Sequence, residues 1–110
     1  MAPLVSQLVD LGEITPTAYS QTECFDAGIT FARAEGIVPA PEANHAVKGA
    51  LLEAMKCKEE GVSRAILFNL CGHGYFDMQA YTDYNAGRLE DHAYDESEVA
   101  MALAGLPSVA

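Results

Sequence analysis

Four consecutive residues, Cys71, Gly72, His73 and Gly74, are the best candidates for chemistry in this chain of 110 residues. Glycines on both sides of one residue let the backbone approach a ligand closely, because glycine has no side chain and tolerates positive φ. A tight turn between a strand and a helix, without any ligand, accounts for the same pattern, since glycine turns are common. The spacing alone leaves both interpretations open.

The thiol of Cys71 raises two further hypotheses, a nucleophile and a metal ligand. A nucleophilic cysteine needs a base beside it, and His73, two residues away in an extended turn, does not easily present its ring to Cys71. A hydrogen-bonding or buried thiol is therefore favoured over a thiol enzyme. Zinc also uses such side chains, but the cysteines and the three histidines (His45, His73 and His92) have no strong ligand spacing. No metal site is predicted.

Glu42 is the carboxylate in the most informative position. It lies between a loop that contains Pro39 and Pro41 and the start of a helix. The helix dipole and the free amides of a first turn favour an anion there. The sequence does not decide whether Glu42 serves a ligand or only stabilises its own helix.

Helix and strand signals alternate along the chain and define the elements that position these residues. Helices are predicted at residues 4–11, 20–35, 44–60, 77–87 and 95–105. Their starts are marked by the capping signals Ser20 with Glu23, Asn44, Asp77, and Asp95 with Glu98. Their ends are marked by Gly12, Gly36, Gly61, Gly87, and Gly105 with Pro107.

Residues 64–70, Arg-Ala-Ile-Leu-Phe-Asn-Leu, are the strongest strand prediction, and a shorter strand is predicted at residues 17–19. The central run of the main strand is apolar on both faces, as in strands covered by helices on both sides. Pro39 and Pro41 exclude a regular strand between them and predict a shaped loop. The order of elements indicates an α/β fold with a parallel sheet, whose ligands bind at the carboxyl ends of strands. The turn after the main strand and the proline loop are expected to be companions there.

Composition narrows the class of protein. The net charge of −10, from 16 acidic and 6 basic residues, argues against a nucleic-acid or anionic-membrane surface. Three widely spaced cysteines without a CxxC pair favour a reducing, cytoplasmic setting. Neither a signal peptide nor an apolar run of membrane length is present in the sequence, so no membrane partner is expected. At this length, residues 1–110 form one small domain or a piece of a larger one.

Two blocks of the sequence resemble the tryptophan synthase beta chain family. The first is EGIVPAPEANHA at residues 35–46, and the second is ILFNLCGHG at residues 66–74, followed by Phe76 and Asp77. They are similar to the blocks EGI-(I/V/L)-PAPE-x-x-HA and FN-L-(S/C)-GHG-x-FD of the longer-chain, TrpB-like branch, in the same order and at the family spacing. The resemblance covers residues 1–95.

The resemblance implies the C-terminal part of a fold-type II pyridoxal-phosphate enzyme, a partial three-layer sandwich of parallel strands covered by helices. That family replaces the hydroxyl of L-serine with indole to form L-tryptophan, and pyridoxal 5'-phosphate serves as the electron sink. By position, Cys71 would face the pyridine nitrogen, and Glu42 would lie near the ring and the indole nitrogen. The other residues at the cofactor edge would be Gly72, His73 and Gly74.

The resemblance also implies that essential groups are missing. In the family, the Schiff-base lysine and the glycine-rich phosphate loop lie upstream, and neither has a counterpart here. The lysines Lys48, Lys56 and Lys58 all belong to one helix, mostly on its exposed side, without the desolvated pocket that a Schiff-base lysine needs. Because Met1 aligns with an internal family position, we expect a truncated or split-gene product or a fragment, inactive alone and with exposed apolar surface.

Two functions from different classes remain open. The first is the C-terminal part of a tryptophan synthase beta chain, whose partner would be the missing N-terminal part of that chain. The complete enzyme would be a homodimer, with an alpha-type subunit as a further partner. The second is a non-catalytic binding or interaction module that keeps the fold. A separate thiol enzyme at Cys71 is disfavoured because no base is positioned beside it.

Overall fold

A computed structural model describes residues 2–92 and 95–104 of the chain. These residues form five α-helices and one 3-10 turn, and none of them is part of a strand. In chain order the elements are α1 (Pro3–Asp10), α2 (Gln21–Glu35), α3 (Pro41–Glu60), the 3-10 turn (Gly74–Phe76), α4 (Met78–Asn85) and α5 (Glu96–Ala104). In the part of the chain that the structure covers, no helix is both long and apolar enough to cross a membrane.

Helix α2 begins at the capping box that the sequence predicts. The amide of Ser20 donates to the carboxylate of Glu23 at 3.1 Å, and the amide of Glu23 donates to the Ser20 hydroxyl at 3.4 Å. These bonds satisfy donors that the first turn of a helix otherwise leaves unpaired. Gly36 follows the last residue with φ +70°, the left-handed conformation that glycine adopts without steric cost. Both predicted ends of this helix are confirmed.

Helix α3 begins earlier than the sequence analysis predicts. Its first residue is Pro41, and Ala40 occupies the N-cap position without a side-chain bond. Proline suits this position because its missing amide hydrogen would have had no partner in the helix. The prediction that Asn44 caps the helix is therefore wrong. The predicted C-terminal end is confirmed, since Gly61 follows Glu60 with φ +66°.

Asn44 instead lies at the contact between α2 and α3, with its side chain completely buried. A Cβ atom built on Gly28 of α2 would lie 2.2 Å from the Oδ1 atom of Asn44, so only a glycine permits this approach. Around this contact pack the buried side chains of Cys24, Ala27, Ala43 and Val47. The core of the described structure is thus centred on a polar side chain.

Tyr81 connects α4 to this core. Its hydroxyl donates to the carbonyl oxygen of Pro39 at 2.6 Å and accepts from the Nδ2 atom of Asn44 at 3.0 Å. The Tyr81 ring packs edge-on against Phe25 of α2, with the ring centroids 5.0 Å apart. A buried amide, a loop carbonyl and a phenol therefore satisfy one another and hold three elements together.

The remaining helices agree with the sequence in part. Helix α1 ends just before Gly12, which has φ +75° as predicted. Asp77 precedes α4 as predicted, but its side chain forms no capping bond. Asp95 accepts a bond from the amide of Ser97 at 2.8 Å at the start of α5. The predicted end of this last helix, at Gly105 and Pro107, lies outside the described residues.

Neither predicted strand forms in the part of the chain that the structure describes. Residues 17–19 and residues 64–70 are both outside regular secondary structure. A strand needs the backbone of a neighbouring strand to pair with, and within the described residues the backbone groups of residues 63–71 have no backbone partner. An isolated antiparallel bridge joins Pro39 to His73. The described residues therefore contain no sheet that would confirm the predicted α/β fold.

Asp91 holds the segment after α4 against the start of α2. The amide of Thr22 donates to the carboxylate of Asp91 at 3.1 Å, and the Thr22 hydroxyl donates to its other oxygen. These two hydrogen bonds, from the side chain and then the backbone of Thr22, lower the pKa of Asp91. Arg88 also donates to Asp83 at 2.9 Å and so directs the chain out of α4.

Two helix-interior glycines provide a matched test of the α2–α3 contact. We expect Gly28→Ala to lower the free energy of unfolding by about 1 to 3 kcal/mol, because the new methyl group collides with Asn44. Gly49→Ala should be neutral or should raise it by up to about 1 kcal/mol, because alanine favours the helix. Its Cβ would lie 3.6 Å from the Tyr19 hydroxyl, an ordinary contact. Urea unfolding measures both, and equal effects would contradict the proposed contact.

The lowered pKa of Asp91 predicts a pH-dependent contribution to stability. A carboxylate whose folded pKa lies below its unfolded value stabilises the fold above that value, near 3.8, and loses this effect as the pH falls through the folded pKa. We expect Asp91→Asn to be less stable than the wild type at neutral pH, with the difference shrinking below about pH 3.8. Urea unfolding at neutral pH and below about pH 3.8 measures the difference in stability between the variant and the wild type. Glu53→Gln, an acid-to-amide change on the exposed side of α3, is the control, and a pH-independent difference for Asp91→Asn would contradict this assignment.

Candidate functional site

The glycine loop (residues 71–74) and the proline loop (residues 37–42) lie directly against each other. The amide of Ala40 donates to the carbonyl oxygen of Gly72 at 2.9 Å, and the amide of Gly74 donates to that of Val38 at 2.8 Å. The two loops were expected to be companions, and these two bonds place them together. The loop that carries the candidate cofactor-edge residues is therefore held by main-chain bonds, which do not depend on flexible side chains.

The two glycines of this loop have different structural roles. A Cβ atom on Gly74 would lie 2.5 Å from the carbonyl oxygen of Pro39 and 2.9 Å from Val38 Cγ1, so a side chain there would push the loops apart. A Cβ atom on Gly72 would meet only the Cβ of Ala40, at 3.3 Å. Packing alone therefore explains why position 74 needs a glycine. The space beside Gly72 is less restricted, so a ligand could approach the backbone there.

Cys71 and His73 are both exposed. The Nδ1 atom of His73 accepts from the amide of Tyr75 at 3.3 Å, and its ring lies 4.8 Å from the Tyr75 ring and 5.5 Å from the Phe76 ring. In the described residues the imidazole makes no bond to the Cys71 thiol. This arrangement gives no support to a thiol enzyme at Cys71.

Glu42 lies in the first turn of α3, where its exposed carboxylate borders a cavity of about 210 Å³. The other residues that line this cavity are Gln21, Cys24, Phe25, Pro41 and His45. No residue of the glycine loop is among them. The structure thus joins the two loops through the backbone, while the lining of the Glu42 cavity comes from the starts of α2 and α3.

The three lysines all lie on α3, as the sequence analysis expects. The Nζ atom of Lys48 is 3.6 Å from the carboxylate of Glu23, and its side chain is one-fifth exposed. Lys56 and Lys58 are exposed near the other end of the helix. The structure thus describes an ion pair at Lys48 and solvent exposure at the other two lysines.

Metal-binding clusters are also absent from the residues that the structure describes. There, no group of three or more His, Cys, Asp and Glu side chains is arranged to hold a metal ion. His45 borders the Glu42 cavity, while His92 borders a separate one beside Tyr19 and Asp91. These two histidines therefore do not combine with the glycine loop.

The sequence analysis missed Asn44 and Tyr81 as residues that position the site. The Tyr81 hydroxyl donates to the carbonyl of Pro39 in the proline loop, and Asn44 holds that hydroxyl by donating to it. The sequence does contain a pattern that indicates burial of Asn44, if Pro41 is taken as the first residue of the helix. Asn44, Val47 and Leu51 then recur at intervals of three and four residues on one face of α3, which predicts a buried asparagine.

Comparison with known proteins identifies the family. The tryptophan synthase beta chain 2 of Aquifex aeolicus is 61% identical over 90 residues, which are 82% of this chain. The tryptophan synthase beta chain of Thermococcus gammatolerans is 52% identical over 95 residues, or 86% of this chain, and that of Pyrococcus horikoshii is 47% identical over 102 residues, or 93%. The chain belongs to the tryptophan synthase beta chain family.

The match to the family is confined to one part of its members. The chain spans about a fifth of the length of these relatives, 21% for the Aquifex protein and 22% for the other two, in their C-terminal part. No protein-family model matches the chain. Membership of the tryptophan synthase beta chain family fits an α/β fold, although the described residues contain no sheet.

The different burial of the cysteines predicts their reactivity. Cys24, Cys57 and Cys71 are all free thiols, but only Cys71 is exposed, and burial raises the pKa of Cys24. With a disulfide reagent at mildly alkaline pH, we expect one thiol per folded chain to react fast and the others only upon unfolding. Absorbance of the released thiol measures the rates. Cys71→Ser should abolish the fast reaction and Cys57→Ser should keep it, whereas a fast reaction in Cys71→Ser would contradict this burial pattern.

Proposed function

We propose that this chain forms the C-terminal part of a tryptophan synthase beta active site and acts only together with the rest of a beta chain. The observation that carries the proposal is the glycine loop, bonded to the proline loop, in a chain 61% identical over 90 residues to a tryptophan synthase beta chain 2. The substrates are L-serine and indole, and the product is L-tryptophan. Pyridoxal 5'-phosphate would supply the electron sink for this beta-replacement when bound.

Cys71 is proposed to face the pyridine nitrogen of the cofactor. Its thiol is exposed on the loop and bonded to no base in the described residues, so it remains free to contact a ring. A neutral thiol there leaves the ring nitrogen unprotonated, which suits replacement at the beta carbon. The main-chain bonds of Gly72 and Gly74 to the proline loop would hold this thiol in place, and His73 would complete the cofactor edge.

Glu42 is proposed to contact the ring system and the indole nitrogen. Its cavity has an aromatic wall from Phe25, an aliphatic wall from Pro41 and one exposed carboxylate. A flat aromatic molecule with one N–H donor matches such a lining, because its ring packs on the apolar walls while its N–H donates to the carboxylate.

The fit to pyridoxal phosphate is partial. The described residues offer one edge for the ring, but Lys48 is paired with Glu23, and Lys56 and Lys58 are exposed. The lysine and the phosphate-binding loop must therefore come from the rest of a beta chain. We propose that the assembled enzyme is a three-layer sandwich of the TrpB-like branch and a homodimer, and that an alpha-type subunit supplies indole. The three free thiols suit a reducing compartment such as the cytoplasm.

The alternative is a non-catalytic interaction module that keeps this part of the fold. The Lys48–Glu23 ion pair favours it, because it gives the least exposed of the three lysines a structural partner within this chain. The two functions differ in one respect that can be measured: only the catalytic part forms L-tryptophan once a lysine is supplied by another polypeptide.

An absorbance spectrum with added pyridoxal phosphate, before and after borohydride, tests the proposal. For the chain alone we expect no protein-bound cofactor band and no borohydride-fixed label on Lys48, Lys56 or Lys58. Together with the unmatched N-terminal part of the Aquifex aeolicus relative, we expect a bound band and L-tryptophan from L-serine and indole. Chromatography of the product provides the activity readout.

Variants at the cysteines sharpen this experiment. Cys71→Ser should keep activity in the assembled enzyme, because a hydroxyl is also neutral, whereas Cys71→Asp should lose it, because a negatively charged carboxylate would stabilise the protonated form of the ring nitrogen. Cys57→Asp adds the same charge at a cysteine far along α3 and should not abolish cofactor binding if the protein folds. A stable assembly that binds cofactor without forming L-tryptophan would instead establish the interaction module, and a label on one of the three lysines would show a complete site within this chain.

A further inference from the structure

We propose that Tyr81 is a positioning residue for both halves of the candidate site, the cofactor edge and the Glu42 cavity. Its hydroxyl holds the glycine loop in place through the proline loop, and its ring supports the wall of the cavity that Phe25 forms. This inference rests on the proposed function, because it assigns the relative placement of the two halves to a side chain that belongs to neither.

The hydroxyl of Tyr81 acts at the point where the two loops are joined. It donates to the carbonyl oxygen of Pro39 at 2.6 Å. Pro39 lies between Val38 and Ala40, the two residues whose main-chain bonds hold the glycine loop. The hydroxyl therefore fixes the residue that both of these bonds flank.

The ring of Tyr81 lies between the glycine loop and α2. A Cβ atom built on Gly74 would lie 3.0 Å from the Cε2 atom of Tyr81, so the ring packs against the backbone of that glycine. The same ring is edge-on to Phe25, with the ring centroids 5.0 Å apart. Because Tyr81 is only 5% exposed, neither contact can shift without displacing the core.

Phe25 extends this contact to the Glu42 cavity. Its side chain is buried and forms part of the lining of that cavity of about 210 Å³. Tyr81 itself is not part of the lining. A change in the position of the Tyr81 ring would therefore reach the cavity through Phe25, and a change in its hydroxyl would reach the glycine loop through Pro39.

The surroundings of the Tyr81 hydroxyl keep it a hydrogen-bond donor. Burial raises the pKa of Tyr81, so the phenol keeps its proton at neutral pH. The Nδ2 atom of Asn44 donates to the phenol oxygen at 3.0 Å, which leaves the hydroxyl hydrogen for the carbonyl of Pro39. The bond to the proline loop is therefore fixed in direction by the core.

Hydrogen–deuterium exchange of the chain alone, resolved by residue, tests the hydroxyl. We expect Tyr81→Phe to speed exchange at the amides of Ala40 and Gly74 by about tenfold, because the loop carbonyl between them loses its donor. Tyr84→Phe is the matched control and should leave both rates unchanged. Tyr84 belongs to the same helix and also stacks on Phe25, but within the described residues its hydroxyl donates to neither loop.

A second variant keeps this test independent of the stability of Tyr81→Phe. Asn44→Ser withdraws the amide that orients the phenol and leaves Tyr81 in place. It should speed exchange at the same two amides. Circular dichroism of each variant verifies that it is folded.

Kinetics of the enzyme assembled with the unmatched N-terminal part of the Aquifex aeolicus relative separate the two contacts. For Tyr81→Phe we expect kcat to fall by about tenfold and the Kd of pyridoxal phosphate, titrated by absorbance, to rise, because the cofactor edge is displaced. The KM for indole should stay within about twofold, since the ring that supports Phe25 is still present.

Phe25→Leu should show the opposite division. We expect the KM for indole to rise by about three- to tenfold with the Kd of pyridoxal phosphate unchanged, because an aromatic wall is lost while the Tyr81 hydroxyl stays bonded. Phe31→Leu, on the same helix but packed against Phe68 and outside the cavity lining, is the control and should change neither constant.

The outcomes distinguish this inference from the proposed function. An active wild-type assembly in which Tyr81→Phe raises the KM for indole and the Kd of pyridoxal phosphate in parallel would overturn the inference alone and leave Tyr81 a core residue. Exchange rates in Tyr81→Phe equal to those in Tyr84→Phe would also overturn it. A wild-type assembly that forms no L-tryptophan would overturn the proposed function, and with it this role of Tyr81, whatever the exchange rates are.

Discussion

The amide of Asn44 is buried between two helices, and a buried amide must find hydrogen-bond partners or destabilise the fold. Gly28 makes room for it, and the Tyr81 hydroxyl accepts from it while donating to the Pro39 carbonyl. This one set of bonds brings α2, α3, α4 and the proline loop together. The glycine loop is bonded to the proline loop. The position of the candidate site therefore depends on the hydrogen bonds that Asn44 makes in the core.

Two parts of α3 differ in how completely they are covered. The part with Ala43, Asn44 and Val47 is buried against α2 and α4. Farther along the helix, Leu51 borders an open apolar groove that it shares with Ile66 and Phe68. The expected apolar surface is therefore present, and it is concentrated beside the segment with the strongest strand signal. A self-contained core and an uncovered face coexist because the bonds that complete the core are local to α2, α3 and α4.

Two carboxylates of this acidic chain stabilise the N-terminal end of a helix. Glu23 and Asp91 both accept hydrogen bonds at the start of α2, and the bonds to Ser20 and Thr22 lower the pKa of the two carboxyls. Carboxylates are stabilised there because the first turn presents unpaired amides and the positive end of the helix dipole. Lys48 joins the same arrangement through its ion pair with Glu23.

The sequence by itself determined the features that depend on residues within one turn of each other. The capping box at Ser20, the left-handed glycines after α2 and α3, and the two blocks that lead to the family all belong to this class. Asn44 was misassigned as a cap, because its partner Tyr81 is 37 residues away and the space for it depends on Gly28 in another helix. Residues 64–70 carry the apolar pattern of a strand, but ladder bonds require a second backbone beside them. Burial and strand pairing are decided by contacts between distant parts of a chain or between chains, and only the tertiary structure contains those contacts.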